Sequence, residues 1–230
     1  MKLLMENWRQ YLNEGIDPRI QKQIDKLLSP GHSDLSIAIV GNPEQPGKWY
    51  EILYVRVTNP ETEEWAMIRR NHMRLPRGRV IIGRINPDKY GHCFGGYVVS
   101  GASATHGWGP LLYDVALEWA SQKSSGLASD RMSLSPHAQA VWSKYEKRRD
   151  VDNDQMDYFS TEDIRKTYYG REIEKLTPDD TQDDCLQNVS IEVGGEHGWM
   201  DTPFSKIYKK DSNEVMQALK SAGRLIVENK

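Results

Sequence analysis

The chain has 230 residues, a formal net charge of −3 and a pI of about 6.1, with 38% hydrophobic and 27% charged residues. This describes one globular domain with trimmings, or at most two small ones, long enough to bury roughly 70% of its unfolded surface. The charge excludes a protein that coats nucleic acid by neutralising many phosphates, and no apolar run approaches the ~20 residues of a membrane span.

Residues 1–14 place Leu4, Trp8, Tyr11 and Leu12 on one helical face, and Gly15 separates them from a second helix. They do not have the charged-then-apolar order of a secretory leader, so a cytoplasmic protein is expected. Asp17-Pro18 opens the second helix, which runs to Leu28 and stops at Ser29-Pro30-Gly31. Strand material follows. Residues 35–40 are nearly continuously apolar and residues 50–57 are rich in Tyr, Ile and Val. Residues 65–68, 80–85 and 96–100 are similar, the last running into a Gly/Ser/Ala-rich turn. Asn42-Pro43, Asn59-Pro60, Leu75-Pro76-Arg77-Gly78 and Asn86-Pro87 supply turn chemistry between them, so this half predicts an antiparallel sheet.

Residues 110–122 predict an amphipathic helix, with Leu111, Leu112, Val115, Ala116 and Trp119 opposite Asp114, Glu118 and Gln122. Residues 127–129 are a short strand candidate. Ser135 is an N-cap with Pro136 at the first helical position, and Ala138, Val141, Trp142 and Tyr145 form the apolar stripe behind it. From about 150 the chain becomes an acidic, polar excursion reaching 184 to 200, with one helix expected at 162–169. A closing strand at 204–208 and a C-terminal helix over 213–227 complete the reading.

Cys93 and Cys185 form no Cys-x-x-Cys pair, and a structural zinc site needs four closely spaced ligands. His92, Cys93, Cys185 and His197 would have to converge from distant positions. Free thiols in a reducing cytosol, with no metal, are the expectation.

The most informative segment is residues 97–112, Tyr-Val-Val-Ser-Gly-Ala-Ser-Ala-Thr-His-Gly-Trp-Gly-Pro-Leu-Leu. An apolar strand enters a small-residue turn, then Gly107-Trp108-Gly109, then a helix with Pro110 in its first turn. Such a turn exposes amide N–H groups at a helix N-terminus, where phosphate or diphosphate binds well. It is not a Walker loop, because no Gly-Lys-Ser/Thr follows. Nor is it a dinucleotide fingerprint, because Leu112 stands where the third glycine belongs.

The succession strand, turn, helix, short strand, second helix resembles the GNAT superfamily of N-acetyltransferases over about residues 80–148. That family's turn, Gln/Arg-x-x-Gly-x-Gly/Ala, cradles the diphosphate of acetyl-CoA, and the splayed strand before it binds the pantetheine arm. Gly107 and Gly109 match the two glycines, Val99 an apolar strand position and Leu112 a helix leucine, while Ser135-Pro136-His137-Ala138 stands for Asn-x-x-Ala. The resemblance implies an α/β (α+β) fold, with a mixed, mostly antiparallel sheet flanked by helices over 15–230. It also implies acetyl-CoA as co-substrate, held by Val99, Gly101, Ala104, Thr105, His106, Gly107, Trp108, Gly109, Pro110 and Ser135. Departures are Ala104 for Gln/Arg, Ser135 for Asn, and Trp142 where the family often carries its general-acid tyrosine. Tyr145, one turn further on the same face, is the substitute acid or a core aromatic.

Acetyl transfer to an amine needs a base, donors for the thioester carbonyl and an acid for the departing thiolate. Asp130, just past the short strand, is the base candidate chosen, with His106, Glu51 and Glu64 as alternatives. The basic group Arg69, Arg70, His72 and Arg74, with Arg77, Arg79 and Arg84, would suit a CoA 3′-phosphate, a nucleic acid, an acidic partner or simply solvent.

Residues 1–14 also resemble the capsid-targeting leaders of internal head proteins in large tailed phages. Such leaders end in Leu/Ile-x-Glu before a small residue, as Leu12-Asn13-Glu14-Gly15 does. The resemblance implies a capsid scaffold as partner, host cytoplasm as location and packaging in the virion head; the other reading is a helix docked on the domain. Three functions follow: acetyl transfer to an amine of a host protein or small molecule, a non-enzymatic virion protein keeping the fold, and a base-modifying enzyme on nucleic acid. No membrane partner is expected.

Overall fold

A computed structural model of the chain describes residues 16–42, 47–56, 77–84, 96–129, 135–155, 165–166, 172–174, 185–186, 203 and 206–228. The elements in order are α1 (Pro18–Leu27), a 3-10 turn (Pro30–His32), β1 (Leu35–Gly41), β2 (Trp49–Arg56), β3 (Gly78–Arg84), β4 (Tyr97–Ala104) and α2 (Gly109–Lys123). There follow β5 (Leu127–Ala128), α3 (Pro136–Tyr145), β6 (Asp152–Gln155), β7 (Arg165–Lys166), β8 (Glu172–Glu174) and β9 (Cys185–Leu186). The chain then forms β10 (Lys206–Lys209), α4 (Glu214–Ser221) and β11 (Leu225–Glu228). This is the expected mixed α/β architecture. An eight-stranded sheet has the order β11-β1-β2-β3-β4-β5-β10-β6, and β7-β8-β9 form a second sheet.

Contacts divide the described residues into two compact units. The first lies within Met1–Ile81, Ala102–Glu118 and Ser212–Lys230, the second within Ile82–Gly101 and Trp119–Asp211.

In the first unit, α1 starts where the sequence places it. The Asp17 carboxylate accepts the Arg19 amide at 2.8 Å, and Pro18 fills the first helical position. Ile20, Ile24 and Leu27 are buried, one stripe at helical spacing. β1 and β2 pair antiparallel from Leu35↔Arg56 to Gly41↔Tyr50. Ala38, Leu53 and Val55 pack together, with Val40 and Ile226 against them.

The C-terminal helix is shorter than expected. Gly223, at φ +66, ends α4, and residues 225–228 form β11, parallel to β1 from Ile37↔Leu225 to Val40↔Glu228. The Arg224 guanidinium fixes this return by donating to the Ser33 and Leu35 carbonyls. Leu225-Ile226-Val227 is β-branched strand material, and a left-handed glycine before it overrides the helical spacing.

α2 forms as expected but is not amphipathic. Residues 111–120 are all buried, Asp114 and Glu118 included. Glu118 belongs inside because its carboxylate receives two amides of α4.

In the second unit, β4 and β5 pair in parallel through Tyr97↔Leu127 and Val98↔Ala128. β10 lies antiparallel to both β5 and β6. Ser135 caps α3, its Oγ accepting the Ala138 amide at 3.2 Å. The helix expected at 162–169 is corrected at its centre, where Arg165 and Lys166 pair with Ile173 and Glu172 as strand. Ile164, Thr167, Tyr168 and Tyr169 give that stretch a β-forming composition.

Candidate functional site

The small residues 101–104, read as turn, are the end of β4; the turn begins at Thr105. Their smallness serves close approach instead. Gly78, at φ +138, opens β3 so near β4 that a Cβ there would stand 2.3 Å from the Ser103 oxygen and 2.5 Å from the Ala104 Cα. Thr105 is tied down next, with its amide (2.8 Å) and hydroxyl (3.0 Å) both donating to the Arg77 carbonyl.

Trp108 is the anchor of the turn. Its amide donates to the Thr105 carbonyl at 3.0 Å, and its own carbonyl accepts the Tyr54 hydroxyl at 3.0 Å. The indole is 3% exposed, with Tyr54 and His32 meeting it edge-on. Lys26 Nζ lies 4.2 Å and Arg77 Cζ 5.1 Å from its ring centroid. Burial pushes the Tyr54 phenol far above its ordinary pKa, so it stays a donor.

Gly107 takes φ +75, which favours glycine. Ala104, Thr105, His106, Gly107 and Pro110 are exposed, and Gly109 is half-buried. The Leu111 amide is occupied by Gln23 Oε1 of α1 at 2.9 Å. Among the described residues, no acceptor meets the amides of His106, Gly107 or Gly109. Neither Lys26 nor Arg77 has a carboxylate partner among those residues. The arrangement offers backbone donors beside a helix N-terminus and two cations, which suits an anion.

Val99, Gly101, Ser135 and Tyr145 lie in the second unit. Val99 is buried and Gly101 half-buried on β4, which continues past Val98, its last residue paired with β5. Ser135 is the cap of α3. Tyr145 is 4% exposed, its ring 5.7 Å from Trp142 and 6.0 Å from Tyr208, with Arg148 Cζ 5.1 Å away. Arg148 binds Asp150 at 2.5 and 2.9 Å, and Lys210 Nζ stands 3.5 Å from the same carboxylate. Burial opposes the Asp150 charge, but Arg148 and Lys210 outweigh it and hold the carboxyl below its ordinary pKa.

Asp130, Glu64, Arg69, Arg70, His72, Arg74 and residues 1–14 fall outside the described residues. Glu51 pairs with Arg79 at 3.5 Å, His106 is exposed, and Arg84 is exposed at the end of β3. Among the described residues, no group of His, Cys, Asp or Glu could hold a metal, and no helix is long and apolar enough to cross a membrane. Sequence reasoning missed Gln23 and Lys26. They look like ordinary polar positions of α1, and nothing local links them to residues 108 and 111.

Comparison with models of known protein families, with curated proteins and with solved structures finds no match for this chain.

Proposed function

We propose that the chain is a GNAT-like acyltransferase that binds acetyl-CoA on the turn 104–110 and passes the acetyl group to an amine. The observation that carries this reading is that no acceptor among the described residues meets the amides of His106, Gly107 and Gly109, which lead into α2 after β4. The surrounding order supports it: strand, turn, helix, short parallel strand, capped helix.

Acetyl-CoA would supply the activated carbonyl. The chain's part is to hold the diphosphate on backbone amides, orient the arm along β4 and provide a base for the amine, for which Asp130 is the candidate and His106 the alternative. Gly109 has room for a β-carbon, with the nearest atom, Ala104 Cβ, at 3.5 Å. Gly109→Glu therefore puts a carboxylate at the anion site without breaking the fold. Titration of acetyl-CoA by calorimetry should show binding to the wild type and loss of it in the folded variant. Equal affinity in the two would overturn the site.

One observation favours a second reading, a virion-associated protein that keeps the fold without the chemistry. Tyr145, the candidate acid, is enclosed by Trp142, Tyr208 and Arg148. Tyr145→Phe removes only the hydroxyl. A fall in acetyl transfer would assign it as the acid; unchanged turnover would assign it to the core, and absence of transfer in the wild type would favour the virion reading.

A further inference from the structure

Among the described residues, β11 is the outer strand of the eight-stranded sheet, with β1 as its neighbour. The Ile37 amide donates to the Arg224 carbonyl at 2.8 Å, which fixes the parity of this parallel ladder. Residues 224, 226 and 228 turn their backbone groups toward β1, so Leu225 and Val227 turn theirs away from the sheet. Nothing among the described residues pairs with those outward groups.

Edge strands usually carry a device against pairing with another chain, such as a proline, a lysine or a bulge. Residues 225–228 contain neither proline nor lysine, and their register against β1 runs without a bulge. With Leu28, Val227 is one of the exposed large apolar side chains, at 39%. The edge is open and sticky.

It is also self-complementary. Two such strands form a ladder only where outward residues face outward residues, and an antiparallel two-fold pair centred on Ile226 meets that condition. Leu225 then lies opposite Val227 of the second copy, and each such pair exchanges both of its N–H···O=C bonds. Ile226 meets its own copy across the axis, and Arg224 lies opposite Glu228 of the second copy at either end. Centring on Leu225 instead sets Ile226 against Arg224, and centring on Val227 sets it against Glu228. Arg224 holds the Ser33 and Leu35 carbonyls through Nη1 alone, and among the described residues no carboxylate pairs with it.

We propose that β11 is a dimerisation edge, through which two copies of the chain pair antiparallel over residues 224–228, centred on Ile226. The stretch is short, so the dimer forms reversibly with concentration and is not a permanent assembly. The pairing is independent of the acetyl-transfer reading.

Sedimentation of the full chain over a range of concentrations should show a reversible monomer–dimer equilibrium. Val227→Pro removes a donor that β1 does not use, a change that an edge strand tolerates. It deletes half of the bonds across the axis and should weaken dimerisation about tenfold or more, with monomer melting near the wild type. Glu228→Lys sets a like charge opposite Arg224 and should weaken the dimer most at low salt. Wild-type dimerisation in that variant would overturn the register. Ile226→Cys tests the axis itself, because a non-hydrogen-bonded antiparallel pair brings its Cα atoms to about 4.5 Å, within disulfide reach. Oxidation should join two chains at position 226, as located by peptide mass, whereas Val227→Cys should give no link between the two copies of position 227. A wild-type chain that stays monomeric throughout would overturn the proposal. So would a dimer undiminished by Val227→Pro, which must use another surface. If Val227→Pro fails to fold, the cross-link decides: joining at 226 upholds the pairing, and its absence overturns it.

Discussion

Glu118 caps α4 from inside α2: its Oε2 accepts the Met216 amide at 2.8 Å, and its Oε1 accepts the Val215 amide at 3.1 Å. The carboxylate is fully buried, yet it sits where a helix N-terminus offers unsatisfied donors and partial positive charge. Removing it would leave two buried amides without an acceptor. Glu118→Ala is therefore expected to cost about 2–5 kcal/mol in urea unfolding, and Glu118→Gln less, because one side-chain oxygen remains. Wild-type stability in the alanine variant would refute the capping role.

Gly78 should tolerate no substitution. Its φ of +138 strains any other residue, and a β-carbon would meet the Ser103 oxygen and Ala104 backbone, which cannot yield as a flexible side chain can. Gly78→Ala is expected to lower stability by about 2 kcal/mol or more and to weaken anion binding, since Ala104 leads into the turn. Melting curves and a CoA titration check the two effects separately. A variant that melts with the wild type would mean that β3 and β4 do not approach so closely.

These two glutamate and glycine relationships also separate what was legible in the sequence from what was not. Asp17-Pro18 and Ser135-Pro136 announced α1 and α3 because a cap acts on its own first turn. Glu118 was misread as solvent-facing because its partners lie 97 and 98 residues away, and hydropathy carries no long-range term. Residues 101–104 looked like turn because small residues serve two purposes, and only the neighbour across the sheet decides between them. The turn and Arg77 stand out in the sequence; Lys26 does not, because α1 brings it from a distant segment.

Alkaline pH should unfold the protein through its buried phenols. Burial raises the pKa of Tyr54, Tyr113 and Tyr208, that of Tyr113 to about 12; for Tyr208 the charge of Glu146 adds to the effect. Tyr54 and Tyr208 also donate hydrogen bonds, to the Trp108 and Pro203 carbonyls, that ionisation would remove. Above pH ~10 the unfolded chain releases these protons while the folded chain keeps them. Stability must then fall with rising pH, by up to about 1.4 kcal/mol per pH unit for each such tyrosine. Denaturant midpoints measured from pH 9 to 11 should begin to drop near pH 10; a flat profile would contradict the burial of all three.

The N-terminal segment can be tested apart from any chemistry. If residues 1–14 are a capsid-targeting signal, the mature protein begins at Gly15, immediately before Ile16, which is 5% exposed, and before the intact cap of α1 at Asp17. Cleavage there spares Ile16, Ile20, Ile24 and Leu27, the buried stripe that anchors α1 and with it Gln23 and Lys26. A 14-residue amphipathic segment is only marginally helical by itself, which suits transient docking on a scaffold followed by removal. A helix docked on the domain would behave differently, because its loss would expose the apolar surface it covered, at about 25 cal/mol per Å². A shortened chain starting at Gly15 is therefore expected to melt within a few degrees of the full chain and to retain its CoA affinity. Protein recovered from virions should carry Gly15 at its N-terminus. A retained Met1 there, or a large fall in melting temperature on truncation, would assign the segment to the domain instead.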